Sequence, residues 1–232
     1  MALMVPGPAA SVLSGKLGGV VFSRNKGGAY ARSYAIPTVV TSDRALLVKF
    51  TLAYVSQSWS ALSAANRLAW DQYALARPTS NRIGQQILLS GQAWHNACNS
   101  RLVLANESPI TAPPVLPTPA ATQVHSPEVD VNGEAASITF LSHPETSNIK
   151  AVIYGAVVTS GARNYVRNQY THIATTDTDP SGAEDIGTEL VAALGTIQEG
   201  LTYHFKVQWV DIRTGLISAA VFVRTVAVDT TA

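Results

Sequence analysis

Leu201-Thr-Tyr-His-Phe-Lys-Val-Gln-Trp-Val-Asp211 is the stretch that decides the fold of the second half of this chain. Leu201, Tyr203, Phe205, Val207 and Trp209 alternate with Thr202, His204, Lys206 and Gln208. Successive side chains of a strand point to opposite faces, so this period of two predicts a strand with one apolar and one polar face. His204 falls on the polar face and is expected to meet solvent. Asp211-Ile-Arg-Thr-Gly215 predicts a turn into a last strand over 216–228. Residues 137–141, 149–159 and 170–174 have the same β-rich composition. Five such segments with no long helix among them predict an antiparallel β-sandwich over 128–232.

Ahead of it the pattern changes. Residues 108–127 hold Pro109, Pro113, Pro114, Pro117, Pro119 and Pro127, six of the chain's 12 prolines, which predicts an extended linker and a domain boundary. Residues 15–107 predict a hairpin plus helical module. Val20 to Ser23 and Ala29 to Tyr34 flank Arg24-Asn-Lys-Gly-Gly28, where Asn25, Gly27 and Gly28 suit the positive φ of a hairpin turn. Residues 1–14 are mostly small and apolar, with Pro6, Gly7 and Pro8, and predict an extended arm that orders against a neighbour. Ser42 caps a first expected helix with an apolar stripe of Leu46, Leu47, Phe50 and Tyr54. Ser63 caps a second over 64–76, stopped by Pro78, and Ser90 caps a third from Gln92 to about Asn106. Trp59, Trp70, Tyr73 and Trp94 are expected as core of a small bundle. The fold class is thus α+β: a hairpin with a helical bundle, then a sandwich.

Composition restricts function. Charged residues make up 13% of the 232, about half the usual ~25%, which suits a surface packed against other subunits. The net charge of +1 and sparse basic residues at Lys16, Arg24, Lys26 and Arg32 argue against specific nucleic-acid binding. One cysteine, Cys98, allows no intramolecular disulfide and reads as a small buried residue. The apolar runs are too short to span a membrane, and Met1-Ala-Leu-Met-Val-Pro lacks the features of a signal peptide, so assembly in the cytoplasm is expected.

Catalytic patterns are missing. His95, His125, His143, His172 and His204 are scattered without zinc-type spacing. Asp177-Thr-Asp179 has no glutamate at loop position 12, so the acidic run 177–185 reads as a polar loop rather than a calcium site. Ser14-Gly-Lys-Leu-Gly-Gly19 lacks the order of a phosphate-binding loop. No catalytic residue, cofactor or metal is expected, and the chain reads as non-enzymatic.

Gly200-Leu-Thr-Tyr-His-Phe-Lys-Val-Gln-Trp-Val-Asp211 followed by Thr214-Gly-Leu-Ile-Ser218 resembles the late strands of a fibronectin type III domain. Ser14-Gly-Lys-Leu-Gly-Gly-Val-Val-Phe-Ser-Arg-Asn-Lys-Gly-Gly-Ala-Tyr-Ala-Arg32, with Trp59-Ser-Ala-Leu-Ser-Ala-Ala-Asn-Arg-Leu-Ala-Trp-Asp-Gln-Tyr73, resembles phage and prophage virion-associated proteins. That resemblance implies a structural role in a virion, as capsid decoration or as a neck or tail component, assembled in the bacterial host cytoplasm. Expected partners are other virion proteins and further copies of the chain. The candidate docking residues are Leu17, Val20, Val21, Phe22, Tyr30 and Tyr34. A second possibility is a carbohydrate- or receptor-binding sandwich, with Asn164, Tyr165 and Tyr170 beside Asn168 presented to a host-surface glycan.

Overall fold

A computed structural model describes all residues except 1, 5–12, 26–27, 37–41, 82, 123, 125–126, 141–147, 160, 162, 164–165, 167–168, 178–179, 181 and 231–232. Expectations for Gly27, His125, His143, Asn164, Tyr165, Asn168 and most of the arm fall outside the described residues. The chain is mixed α+β, with helices and several antiparallel sheets. It divides into two compact units, 1–97 with 111–113 and 98–110 with 114–232.

The first unit opens with a four-stranded sheet of β1 (Ala2–Met4), β2 (Gly15–Leu17), β3 (Val20–Asn25) and β4 (Gly28–Ser33), in the order β1-β4-β3-β2. The β3–β4 hairpin is present, but it is the centre of a sheet rather than a lone ribbon. Gly18, at φ +56, turns the chain so that Lys16 pairs with Val21. Leu3 pairs with Tyr30, so the start of the expected arm is an edge strand of its own chain. Helices α1 (Asp43–Ala61), α2 (Ala64–Leu75) and α3 (Gly91–Leu104) follow, with a small hairpin of β5 (Thr79–Ser80) and β6 (Gln86–Ile87) before α3. Ser63 Oγ accepts from Asn66 N at 3.2 Å and Ser90 Oγ from Ala93 N at 3.2 Å, the side-chain caps their positions suggest. Ser42 makes no such side-chain bond; only its carbonyl joins α1, accepting from Leu46 N.

The chain passes from one unit to the other within α3, at Ala97/Cys98, and again at 110/111 and 113/114 in the Pro-rich stretch. The second half of α3 and the residues after it are held by polar contacts within the second unit. Asn99, fully buried, pairs with the backbone of Ile110 through Nδ2 (3.1 Å) and Oδ1 (2.7 Å). Asn106, at φ 58, closes α3 as Glu107 N donates to Leu102 O and Asn106 N to Val103 O, a Schellman ending. Lys150 Nζ donates to Ala105 O at 3.0 Å and pairs with Glu107 at 2.9 Å. Pro114, Pro119 and Pro127 are buried, so this stretch is packed in places rather than a free spacer.

The second unit is built on a three-stranded and a four-stranded sheet. Strands β7 (Glu128–Asp130), β8 (Ala135–Phe140) and β11 (Gly182–Asp185) take the order β11-β8-β7. Strands β9 (Ile149–Val158), β10 (Thr171–Thr175), β12 (Thr202–Asp211) and β13 (Val221–Val226) take the order β10-β9-β12-β13. Both sheets feed one core: Ile138 and Phe140 meet Ile153, Phe205, Val207 and Trp209. Phe140 and Trp209 pack edge to face at 6.4 Å. Tyr203, near the start of β12, accepts a hydrogen bond on Oη from Gln198 N at 3.3 Å, the corner that Greek-key sandwiches use to pin a crossing loop.

Three expectations change here. His204 is buried, not solvent-facing, because β12 lies between β9 and β13 and its outer face is covered too. Ala156, Val158 and Val166 form a second small cluster there, with Tyr170 packed on it. The acidic run is partly a strand, since β11 pairs with β8 over Gly182–Asp185. And an eight-residue helix, α4 (Gly187–Leu194), follows it, burying Ile186 and Leu190 in the core. Asp185 Oδ1 accepts from Gly187 N at 3.0 Å at its start.

Candidate docking surface

The N-terminal sheet carries apolar side chains on both faces. Directly paired residues share a face and neighbours along a strand alternate. Leu17 pairs with Val20, and Phe22 with Ala31, which puts Leu17, Val20, Phe22 and Ala31 on one face. Lys16 pairs with Val21, Val21 with Arg32 and Ser23 with Tyr30, which puts Val21 and Tyr30 on the other. Lys16 Nζ lies 3.7 Å from the centroid of the Tyr34 ring, a cation–π contact that joins Tyr34 to this second face. The six candidate docking residues therefore form two patches of three, back to back.

None of them is buried. Leu17 is 75% exposed, Val20 and Tyr34 are exposed, and Val21, Phe22 and Tyr30 are half-buried. Among the residues from 13 to 54 whose side chains are described, none is buried. Small sheets need a packed apolar face to be stable in water, and among the described residues this one has no fully buried side chain on either face.

The helical part has a core, and it is aromatic. Trp70 is buried and lies edge to face against Tyr73 (5.7 Å) and His95 (5.4 Å). Trp59 packs on His95 at 5.3 Å, and Tyr73 on Trp94 at 5.6 Å. Trp70 Nε1 donates to Thr111 O at 2.9 Å. Burial among these rings lowers the pKa of His95, with a weak opposing contribution from Asn96. Gly91 opens α3 against α2: a Cβ there would sit 2.6 Å from Asp71 N. Its N–H donates to Asp71 Oδ1 at 3.0 Å. The tryptophans belong to this core, as expected. The stripe expected to face it does not: Leu47, Phe50 and Tyr54 are exposed, and Val55 and Leu62 are the buried apolar residues of that region.

In the second unit, Tyr170 is half-buried and tilted against the exposed ring of Phe222 at 6.0 Å, and its hydroxyl pKa is raised by burial. Asn164 and Tyr165 lie outside the described residues. Phe222 carried no signal beyond being the one aromatic of the last strand. The pKa of His204 is lowered, first by burial and then by Arg224, its partner on β13, and Arg163. Among the described residues no group of three or more His, Cys, Asp or Glu is placed to hold a metal ion. No described helix is long and apolar enough to cross a membrane.

No protein-family model matches the chain, and no curated protein sequence matches it. Among solved structures it is similar to a Fn3-like protein from Clostridium thermocellum, at 19% identity and a TM-score of 0.26, over 46% of this chain and 90% of that one. It is also similar to the pectate lyase PelI from Erwinia chrysanthemi, solved with tetragalacturonic acid, at 16% identity and a TM-score of 0.24. That match covers 38% of this chain and 24% of the lyase.

Proposed function

We propose that this chain is a non-enzymatic structural protein of a tailed phage or prophage particle, docked through its N-terminal sheet and helices and presenting a fibronectin type III-like sandwich. The observation that carries the docking half is the run of residues 13–54, in which no described side chain is buried, on a sheet with apolar side chains on both faces. Such a segment gains its packing from another molecule. The particle half rests on the resemblance of residues 14–32 and 59–73 to virion-associated proteins. The three-plus-four strand arrangement and the Tyr203 corner support the sandwich assignment.

The test is quantitative mass spectrometry of purified particles. The chain is expected at a fixed copy number relative to the major capsid protein, high for shell decoration and low for a neck or tail component. Its absence from particles that are otherwise complete would refute the role. A second reading, a glycan- or receptor-binding sandwich, is favoured by the Tyr170–Phe222 pair, since exposed aromatic rings stack on sugar faces. On that reading Tyr170→Ala and Phe222→Ala abolish cell or glycan binding; on the structural reading no such binding exists to lose.

A further inference from the structure

The outer face of the four-stranded sheet in the second unit is covered at both ends and open in the middle. At one end the close of α3 lies on it, with Lys150 Nζ donating to Ala105 O at 3.0 Å and Thr175 Oγ1 to Leu104 O at 3.4 Å. At the other, Val166 and Tyr170 pack on Ala156 and Val158. Val152, Ala156 and His204 are buried. Between these covers the register aligns His172, Tyr154, Lys206 and Phe222 in one row across all four strands. None of the four is buried, and Phe222 is 62% exposed. With neighbouring strands about 4.8 Å apart, the row is about 14 Å long, the reach of a short chain of rings.

This row is aromatic and cationic. Lys206 Nζ lies 4.5 Å from the centroid of the Tyr154 ring, and His172 packs edge to face on the same ring at 5.7 Å. Phe222 meets Tyr170 at 6.0 Å. Among the described residues Lys206 has no carboxylate partner, and burial pushes its pKa down. The four strands hold a single acid, Asp211, which pairs in register with the buried Ile149 and is bound by Arg213. Their outward positions carry Lys150, Lys206 and Arg224 instead, and Lys150 already takes Glu107. An ammonium half withdrawn from water gains most from an anion that also shields it. We propose that the row binds an acidic oligosaccharide, a uronate carboxylate pairing with Lys206 while the C–H faces of the sugar rings lie on Phe222 and Tyr170. This names the ligand class of the second reading above and rests on that reading. A neutral sugar leaves the lysine without its anion, and a bare anion leaves the aromatic rings without a partner. A nucleic acid brings a phosphate at every residue, and the row holds one lysine to meet them.

Titration of the full chain with alginate and hyaluronan oligosaccharides, followed by amide NMR, tests this. The amides of Tyr154, Lys206 and Phe222 are expected to shift, and those of β2–β4 to stay in place. Lys206→Met keeps the stem over Tyr154 and removes the charge; it is expected to weaken binding about tenfold or more, with Lys206→Arg retaining most of it. Phe222→Ala, at an exposed position, is expected to weaken it as well. The shift map of the wild type does not depend on the folding of any variant. Equal affinity for a neutral cello-oligosaccharide overturns the proposal and leaves the sugar-binding reading standing. Equal affinity for polyphosphate or for single-stranded DNA overturns it too, because charge or base stacking alone then suffices. A wild type that binds none of the sugars, acidic or neutral, overturns it together with the second reading and leaves the particle role untouched.

Discussion

Gly215 closes the turn after β12 at φ +65, and a Cβ there would run into the backbone carbonyl of Cys98. The left-handed conformation alone costs a non-glycine residue about 1–2 kcal/mol. Gly215→Ala is therefore expected to lower the melting temperature by several degrees in calorimetry, and a neutral result would mean that this turn is not packed as described. Asp211 holds the same turn, accepting from Arg213 N at 2.9 Å, Nε at 3.0 Å and Nη2 at 2.8 Å. Tyr203→Phe removes only the bond from Gln198 N and is expected to cost about 1 kcal/mol. The histidines set a pH dependence. Burial holds the pKa values of His95 and His204 below the ordinary 6.5 in the folded chain, so on acidification the unfolded chain takes up protons first. Their neutral forms are accommodated fully above 6.5, and stability falls as the pH drops below it. Denaturant midpoints taken from neutral to mildly acid pH are expected to decline, and His95→Gln or His204→Gln to flatten the slope. An unchanged slope in both variants would show that neither histidine is held neutral by burial.

At the scale of elements, the two halves of the chain answer differently to the same kind of substitution. Phe205→Ala empties a fully buried site in β12 and is expected to cost about 3–5 kcal/mol. Phe22→Ser, in β3, is expected to cost the dilute chain far less, about 1 kcal/mol or below, because Phe22 is only half-buried. Urea titration of both variants checks the contrast. The same division explains what could be read in the sequence. The alternation through Leu201–Asp211 announced β12 because its inner face is core, and Ser63 and Ser90 announced α2 and α3 because their caps are local. Alternation could not show that the outer face of β12 is covered as well, since the cover comes from Val166 and Tyr170, far along the chain. In α1, two stripes compete, and the spacing of Leu47, Phe50 and Tyr54 gives no hint that Val55 and Leu62 are the ones buried. Helix α4 left a weak helical spacing at Ile186, Leu190, Val191 and Leu194, masked by the strand-like run before it. Strand β1 left none, because its pairing with β4 joins residues far apart in sequence.

For the whole molecule, the contrast is between an N-terminal sheet with no buried side chain among the described residues and a second unit whose two sheets share one core. Tyr203, Trp209 and Phe140 anchor that core. In the former, apolar side chains lie on opposite faces of one small sheet, and Leu47, Phe50 and Tyr54 of α1 are exposed. On the docking role proposed above, a single partner surface covers one face of the sheet, so cover for both faces requires insertion between molecules. Low charge, 13% of residues, fits that placement. Hydrogen exchange tests it most directly, comparing the dilute chain with the chain in purified particles. In the dilute chain, amides of β2–β4 are expected to exchange far faster than those of β9 and β12, and in particles to slow by orders of magnitude while the sandwich stays unchanged. Amides of β2–β4 that are as protected in the dilute monomer as those of β9 and β12 would contradict the account.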